Sequence, residues 1–383
     1  MRIVIASDKF KGCLPAREVA AAIARGIARA DAAIEIERIP MADGGEGTVE
    51  ALVAATGGRL ITRRVTGPLA AMKVDAVFGI LGDGETAVIE MAAASGLHLL
   101  QAEQYDPMKT TTFGTGELLV AAAELGVKRI ILGIGGSATN DGGIGCAQAC
   151  GVRFEVDRGV TVDASDRPLT GGECAHADPS IEPDNLPARG LRGVETLVAC
   201  DVDNPLIGPR GAARVFGPQK GASTEQVEQL DRGLEHLSMR IPWGFELREK
   251  PGAGAAGGLG FGMLAFFGAK LRPGFEIVAE AAQLAQRLGG ADLCITGEGR
   301  LDASSMGGKT AIGVARVCKK LNVPCVALVG SIGEGAEEAL REGLTAYHSI
   351  GEGISLEESM RDAARLLAKA AGELVLHLGA PES

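Results

Sequence analysis

The sequence predicts an α/β protein of two α/β domains, one inserted into the other, and three observations carry that expectation. Short runs rich in Val, Ile and Leu alternate with stretches whose apolar residues recur every three to four positions, the strand–helix alternation of parallel sheets. Polar, glycine-rich clusters follow several of the strand-like runs, where ligands collect in open α/β sheets. The chain of 383 residues also exceeds one ordinary core.

Residues 2–6 read as the first strand. A helix is expected over Ala16–Ala30, with Val19, Ile23, Ile27 and Ala30 on one stripe and Pro15 near its start. Residues 34–39 alternate as a half-buried strand. The clusters SDKFKG (7–12) and MADGGEGT (41–48) follow these two strands. The second cluster leads into a short helix that stops at Gly57-Gly58. The character changes near Thr66-Gly67-Pro68. Residues 74–81 and Thr86–Glu90 flank Gly82-Asp83-Gly84-Glu85, a hairpin signal. KTTTFGTGE (109–117) opens a helix to Leu125, and residues 129–132 form a buried strand. Residues 157–193, rich in Asp, Pro and Gly, read as a long surface excursion. Residues 195–200 are a strand ending in Asp201, and Ser223 with Gln226 makes a capping box. The glycine-rich run 252–262 precedes residues 263–271. From about Gly289 the strand–helix alternation resumes: strands at Leu293–Thr296, 326–329 and 345–350, helices at Thr310–Leu321 and 336–342. Ser355 and Glu358 then cap a long final helix. Two N-terminal strands cannot form a stable sheet alone. Residues 1–66 are therefore paired with 287–383 in one discontinuous domain and 67–286 form the insert. Both are expected to be doubly wound, Rossmann- or flavodoxin-like, with a ligand cleft between them.

The stretch RIILGIGGSATNDGGIG, 129–145, is the centre of the functional reading. Six glycines interleave with Ser137, Thr139, Asn140 and Asp141 just after a strand. Such glycines let backbone N–H groups approach a ligand, hydroxyls and amides donate to oxyanions, and a carboxylate can hold a metal. Residues 133–138 also fit the relaxed G-x-G-x-x-G/A dinucleotide fingerprint, with Glu155 and Asp157 downstream, so an NAD-dependent oxidoreductase is the rival. Against it, Asn140-Asp141-Gly142-Gly143 prolongs the loop where a helix should open. ASSMGGKT (303–310) ends like a P-loop but has Ala303 where that motif needs Gly. Asp8, Asp43, Asp201, Glu298 and Asp302 all sit at expected strand ends beside glycines and lysines. Phosphoryl transfer needs such a set: a carboxylate for Mg²⁺, lysines and N–H donors for the phosphoryl oxygens, and a proton acceptor for the attacking hydroxyl.

The net charge is −11 and no basic cluster interleaves with aromatics, which argues against nucleic-acid and anionic-membrane partners. No apolar run approaches the ~20 residues of a membrane span. No cysteine pair is spaced C-x-x-C, so the eight cysteines read as small buried hydrophobes in a reducing, cytoplasmic setting. No G-x-S-x-G elbow occurs, and His98, His176, His236, His348 and His377 lack metal-ligand spacing.

The motifs taken together resemble the glycerate kinase family of bacterial glyoxylate and glucarate/galactarate catabolism. They stand as SDKFKG, MADGGEGT, KTTTFGTGELL (109–119), GIGGSATNDGG (133–143), NPL…VFGPQKGA (204–222), PGAGAAGGLG (251–260) and TGEGRLD (296–302) with Gly308-Lys309, in order along nearly the whole chain. The resemblance implies ATP-dependent phosphorylation of D-glycerate, to the 2-phospho isomer, with Mg²⁺. Two positions depart from it: Cys13 where relatives carry Ser, and Ser304 where the pattern favours Gln. Residue roles are expectations of the sequence. ATP is placed on Gly135, Gly136, Ser137, Thr139 and Asn140 and on Gly254, Gly257 and Gly258, with Mg²⁺ at Asp201 and Asp141. Asp8 or Asp302 accepts the hydroxyl proton, and Lys11 and Lys309 neutralise the transferring group. Lys9, Asp43, Glu46, Glu298 and Arg300 surround glycerate, Arg300 taking its carboxylate. A sensor without turnover is the third reading, disfavoured because it would need no proton acceptor. The oligomeric state, a homodimer included, is left open.

Overall fold

The structure is a computed structural model that describes residues 1–156, 160–179 and 191–378. The chain divides into two compact units. The first comprises Met1–Asp43, Glu50–Gly57 and Phe275–Ser383; the second comprises Gly44–Val49 and Gly58–Gly274.

The first unit is built on a five-stranded, wholly parallel sheet. Its order is Ala346–Ser349, Cys325–Val329, Leu293–Thr296, Arg2–Ile5 and Glu35–Arg38. In chain order this is 5-4-3-1-2, the doubly wound pattern that reverses direction between the first and third strands. The central strands are buried on both faces, which explains why they read as continuous apolar runs. Helix Ala16–Ala30 places Val19, Ile23 and Ile27 in the core with Ile3, Ile5 and Ile295. Helix Ala363–Leu378 packs on it and buries Leu367, Ala371 and Val375. The contact is close enough that a Cβ on Gly26 would overlap the carbonyl oxygen of Ala368. The C-terminal stretch expected as one long helix is two. Ser355 caps Leu356–Arg361 through Glu358, and the chain turns at Asp362 before Ala363–Leu378 begins.

The second unit carries a six-stranded mixed sheet in strict chain order. Strands Lys270–Arg272, Glu195–Ala199, Arg129–Gly133 and Thr86–Glu90 are parallel, and Lys73–Ile80 and Arg59–Thr66 complete it in antiparallel fashion. Residues 59–66, grouped by the sequence with the first strands, thus belong by hydrogen bonding to this sheet. A sheet in chain order has no reversal point, unlike the first. Its core joins Phe78, Ile89, Leu118, Ile130, Leu132 and Ile144 to Phe154 and Phe266, whose rings meet edge-to-face at 5.9 Å.

Two expectations change within this unit. The region read as a surface excursion contains Leu169, Cys174, Ala177 and Leu191 in the core; residues 157–159 and 180–190 lie outside the described residues. The apolar spacing within a polar stretch, pinned by the Thr170–Glu173 capping box, accounts for that burial. The glycine run before residue 263 is not a free loop. Helix Ala255–Phe267 runs through it, interrupted by positive φ at Ala256, Gly257 and Gly258.

Candidate active site

In the first unit the predicted site residues gather where the strand order reverses. Strands Arg2–Ile5 and Leu293–Thr296 are neighbours, and their pairing continues past both ends: Ala6 N–H donates to Ile295 O at 2.9 Å and Asp8 N–H to Gly297 O at 3.0 Å. Asp8 and Glu298 therefore leave the sheet side by side at its carboxyl edge, the place where open α/β sheets bind ligands. Glycine is required at 297 because a Cβ there would overlap Leu328 O on the next strand.

The Asp8 carboxylate accepts Lys9 N–H at 2.7 Å and the Thr310 hydroxyl at 2.5 Å. Burial and then the Asp43 carboxylate push its pKa up to about 6, against those two hydrogen bonds. Glu298 is buried with its Oε1 unpartnered among the described residues. Burial raises its pKa to about 7, helped by Asp8 and Asp302 and opposed by Ser305 and Lys309. Two neighbouring carboxyls that titrate near neutrality are poised to take or hold a proton.

Asp302 behaves differently. It caps the turn Ala303–Gly307, accepting from Ser304 N–H at 2.9 Å and Ser304 Oγ at 2.6 Å, and pairs with Arg300 Nε at 2.9 Å. Those Ser304 bonds lead the effects that hold its pKa below the usual carboxylate range. Lys309 precedes helix Thr310–Leu321 and donates to Ser304 Oγ at 2.8 Å. Ser304, the position where the family pattern favours Gln, thus ties Asp302 to Lys309. Lys11 is exposed, and its backbone nitrogen would lie 3.5 Å from a Cβ on Gly299, beside the strand end that carries Glu298. Cys13, the other departure, donates its thiol to Met360 O at 3.0 Å.

The second unit gathers its own polar residues at the carboxyl ends of Arg129–Gly133 and Glu195–Ala199. The Gly44–Glu46 segment lies against these ends, where Cβ atoms on Gly44 and Gly135 would stand 2.6 Å from Ala199 Cβ and 3.6 Å from Gly45 Cα. Gly135 and Gly136 are exposed, with Gly136 at φ 73°, while Ser137 to Asp141 are buried. No helix opens inside the 133–138 motif; it begins at Ile144, after Gly143 at φ 80°. The dinucleotide geometry is therefore missing.

Asp141 is fully buried and organises this loop. Its carboxylate accepts Thr112 N–H and Thr112 Oγ1, both at 2.8 Å, Gly143 N–H at 3.0 Å and Gly145 N–H at 3.3 Å. Thr139 Oγ1 and both side-chain polar atoms of Asn140 are buried and unpartnered among the described residues. Beneath them lies Lys220, which the sequence reading missed. Only 2% exposed, it donates its ammonium to Ser137 Oγ at 2.8 Å and Thr139 O at 2.7 Å. Burial lowers its pKa to about 7, with the Asp141 charge opposing. Asp201 accepts Gly274 N–H at 2.8 Å, and Glu46 is exposed. Gly254, Gly257 and Gly258 serve close backbone approach. Cβ atoms there would overlap Pro205 O, overlap Thr139 O and stand 2.9 Å from Gly142 Cα, respectively. Gly257 and Gly258 thus buttress the 139–142 loop, and Gly254 packs against Pro205 and Ala212.

No helix among the described residues is long and apolar enough to cross a membrane. Residues 3–378 match the model of the Glycerate kinase family. The chain is 46% identical over 377 residues to a glycerate kinase of Bacillus subtilis, covering 98% of this chain and 97% of that one. It is 46% identical over 366 residues to the glycerate 2-kinase of Escherichia coli, covering 95% and 94%. A crystal structure from Salmonella typhimurium LT2, described as a glycerate kinase 2, superposes with a TM-score of 0.86 at 42% identity, covering 99% of this chain and 98% of that one. By that match over nearly its whole length and by these identities, the chain belongs to the glycerate kinase family.

Proposed function

We propose that the chain transfers the γ-phosphoryl group of ATP to D-glycerate, giving 2-phosphoglycerate, in the cytoplasm. The observation that carries this reading is the Asp8–Glu298 pair at the strand-order reversal, flanked by Lys309 and Thr310. Phosphoryl transfer asks little covalent chemistry of a protein; it asks for position, charge neutralisation and a proton acceptor. Asp8 is the proton acceptor for the glycerate hydroxyl. Its pKa of about 6 leaves it ionised at neutral pH and basic enough to share the proton as the P–O bond forms. Asp302, held acidic and spent on the Ser304 turn and Arg300, is a scaffold for Arg300 and Lys309. Lys11 and Lys309 neutralise the transferring group, and Lys9, Asp43 and Arg300 border the hydroxy acid.

The donor set fits a magnesium ion at Glu298, whose buried, unpartnered oxygen is a ready hard ligand. Asp141 does not fit that part, since its oxygens take four protein donors, and Asp201 is engaged with Gly274. When bound, the ion would offset phosphate charge. The ATP phosphates lie on Gly135, Gly136 and Ser137, with Thr139 and Asn140 supplying donors and Lys220 fixing the loop from below. Gly257, Gly258 and Asp141 hold that loop's shape, and Gly254 fits close to Pro205 instead.

An assay coupling ADP formation to D-glycerate, with and without Mg²⁺, tests the reading. Glycerate-dependent ADP release that requires the ion, with a phosphorus NMR signal for the 2-phosphate ester, is expected. ADP release indifferent to glycerate would overturn it.

A further inference from the structure

Three cysteines outside this site converge in the core of the first unit. Strands Leu293–Thr296 and Cys325–Val329 pair in parallel with Cys294 opposite Cys325. Side chains paired in register project from the same face of a sheet. Helix Thr310–Leu321 connects the two strands in sequence, packs on both and brings Cys318 to that face. The three Sγ atoms lie within 4.8 Å of one another, and each residue is wholly buried.

Their geometry suits a three-coordinate centre. Bonds to sulfur of about 2.3 Å, the zinc–thiolate value, would space three sulfurs by about 4 Å in a plane and about 3.5 Å in a pyramid, so each need move by no more than roughly 1 Å. The thiols also condition one another: the neighbouring Cys294 and Cys325 thiols pull the Cys318 pKa below the ordinary thiol value.

Charge selects the occupant. Three thiolates around a monovalent soft cation leave two negative charges, and around a divalent cation one. Among the described residues the influences on these sulfurs are burial, the neighbouring thiols and, for Cys318, a backbone hydrogen bond, with no cation among them. Burying net charge without a partner is unfavourable. A trivalent centre leaves none. We propose that Cys294, Cys318 and Cys325 form a trithiol site for a trivalent thiophilic metalloid, with arsenous acid as the simplest ligand. As(OH)₃ and three S–H groups give As(SR)₃ and three waters. Each step forms one As–S bond and breaks one As–O bond, and the thiol proton leaves with the hydroxide. No electron is transferred. The ligand enters as a neutral molecule, through local opening of a buried region, so uptake is slow. Once formed, the centre would cross-link two strands and the helix that present Glu298, Lys309 and Thr310.

The test is to incubate the reduced full-length enzyme with sodium arsenite and record its intact mass under native conditions. The enzyme is then denatured in iodoacetamide and its alkylated cysteines are mapped. The expected result is one arsenic in place of three protons, with Cys294, Cys318 and Cys325 protected. Cys318→Ala and Cys294→Val should each lose the retained arsenic, whereas Cys146→Ala/Cys150→Ala should keep it; circular dichroism confirms that the variants are folded. Zn²⁺ and Cu⁺ offered in parallel should be removed by a chelator that leaves the arsenic in place. The proposal is overturned if the wild type retains no arsenic, if both single variants retain it, or if Zn²⁺ or Cu⁺ is held and arsenic is not.

Discussion

Glu298 and Asp8 set stability against activity as pH changes, and both effects follow from burial. Each has a folded pKa above its ordinary value, about 7 and about 6. Between those values and the unfolded ones the native state binds more protons, so stability is full at low pH and falls as pH rises through the folded pKa. For Glu298 the loss is on the order of 2 kcal/mol, at about 1.4 kcal/mol per pKa unit and allowing for coupling to Asp8. Activity should run the other way, rising with pH through 6–7 as the proton acceptor ionises. Glu298→Gln should therefore flatten the decline of Tm between pH 4.5 and 7.5, read by differential scanning fluorimetry. Asp8→Asn should lower kcat by about 10²- to 10⁴-fold and abolish the rising limb. A kcat within tenfold of wild type would overturn Asp8 as the proton acceptor. Lys220 offers a second residue-scale test. Lys220→Met strips a donor from Ser137 and Thr139 and should cost about 2–4 kcal/mol in urea unfolding, leaving buried acceptors unmet. If the loop carries ATP, KM for ATP should rise more than kcat falls. The carboxylates were legible in the sequence because five of them recur at expected strand ends beside glycines and lysines, although one, Asp302, is a turn cap. Lys220 was not, although it stands in the VFGPQKGA motif, because a lysine away from any strand end is by default a surface residue and its partners are about eighty positions away.

At the scale of elements, the glycine-rich helix Ala255–Phe267 shows where sequence reasoning reaches its limit. Glycine runs that expose N–H groups to a phosphate and runs that let two backbones touch have the same composition. Gly257 and Gly258 belong to the second kind, pressed against Thr139 and Gly142 at φ 67° and 89°. Gly257→Ala would drive its methyl into Thr139 O while imposing a left-handed conformation. It should destabilise the chain by more than about 3 kcal/mol or displace the Thr139–Asn140 loop and abolish activity. Gly268 is the matched control. It ends the same helix at φ 61° with open space where a Cβ would stand. Gly268→Ala should cost only about 1 kcal/mol, with kcat/KM unchanged. Urea denaturation and steady-state kinetics on the pair check both halves. The strands of the first sheet, by contrast, were legible almost to the residue. Its three central strands, buried on both faces, must be apolar throughout, whereas the edge strand Glu35–Arg38 was read from its alternation.

For the molecule as a whole, connectivity has a consequence for folding that neither sheet reveals alone. The first unit draws its strands from both chain ends, and helix Ala363–Leu378 closes over Ala16–Ala30. That final helix supplies Leu367, Ala371 and Val375 to the core, so the first unit cannot complete its packing until the last residues are made. The second unit, all but six of whose residues are the continuous segment Gly58–Gly274, has a separate core around Phe78, Phe154 and Phe266. Truncation after Asp362 should therefore act unequally. It removes several large apolar contacts, each side chain worth about 1.5–3 kcal/mol when buried, against a marginal total of about 5–15 kcal/mol. The first unit should lose cooperative structure, and with it Asp8, Glu298 and all turnover. The second should persist as a protease-resistant fragment, identified by mass spectrometry of a limited digest, with ends near residues 58 and 274. A truncated chain digested uniformly along its length would mean that the two cores are not independently stable, whereas one that kept its activity would take the final helix out of the first unit's core.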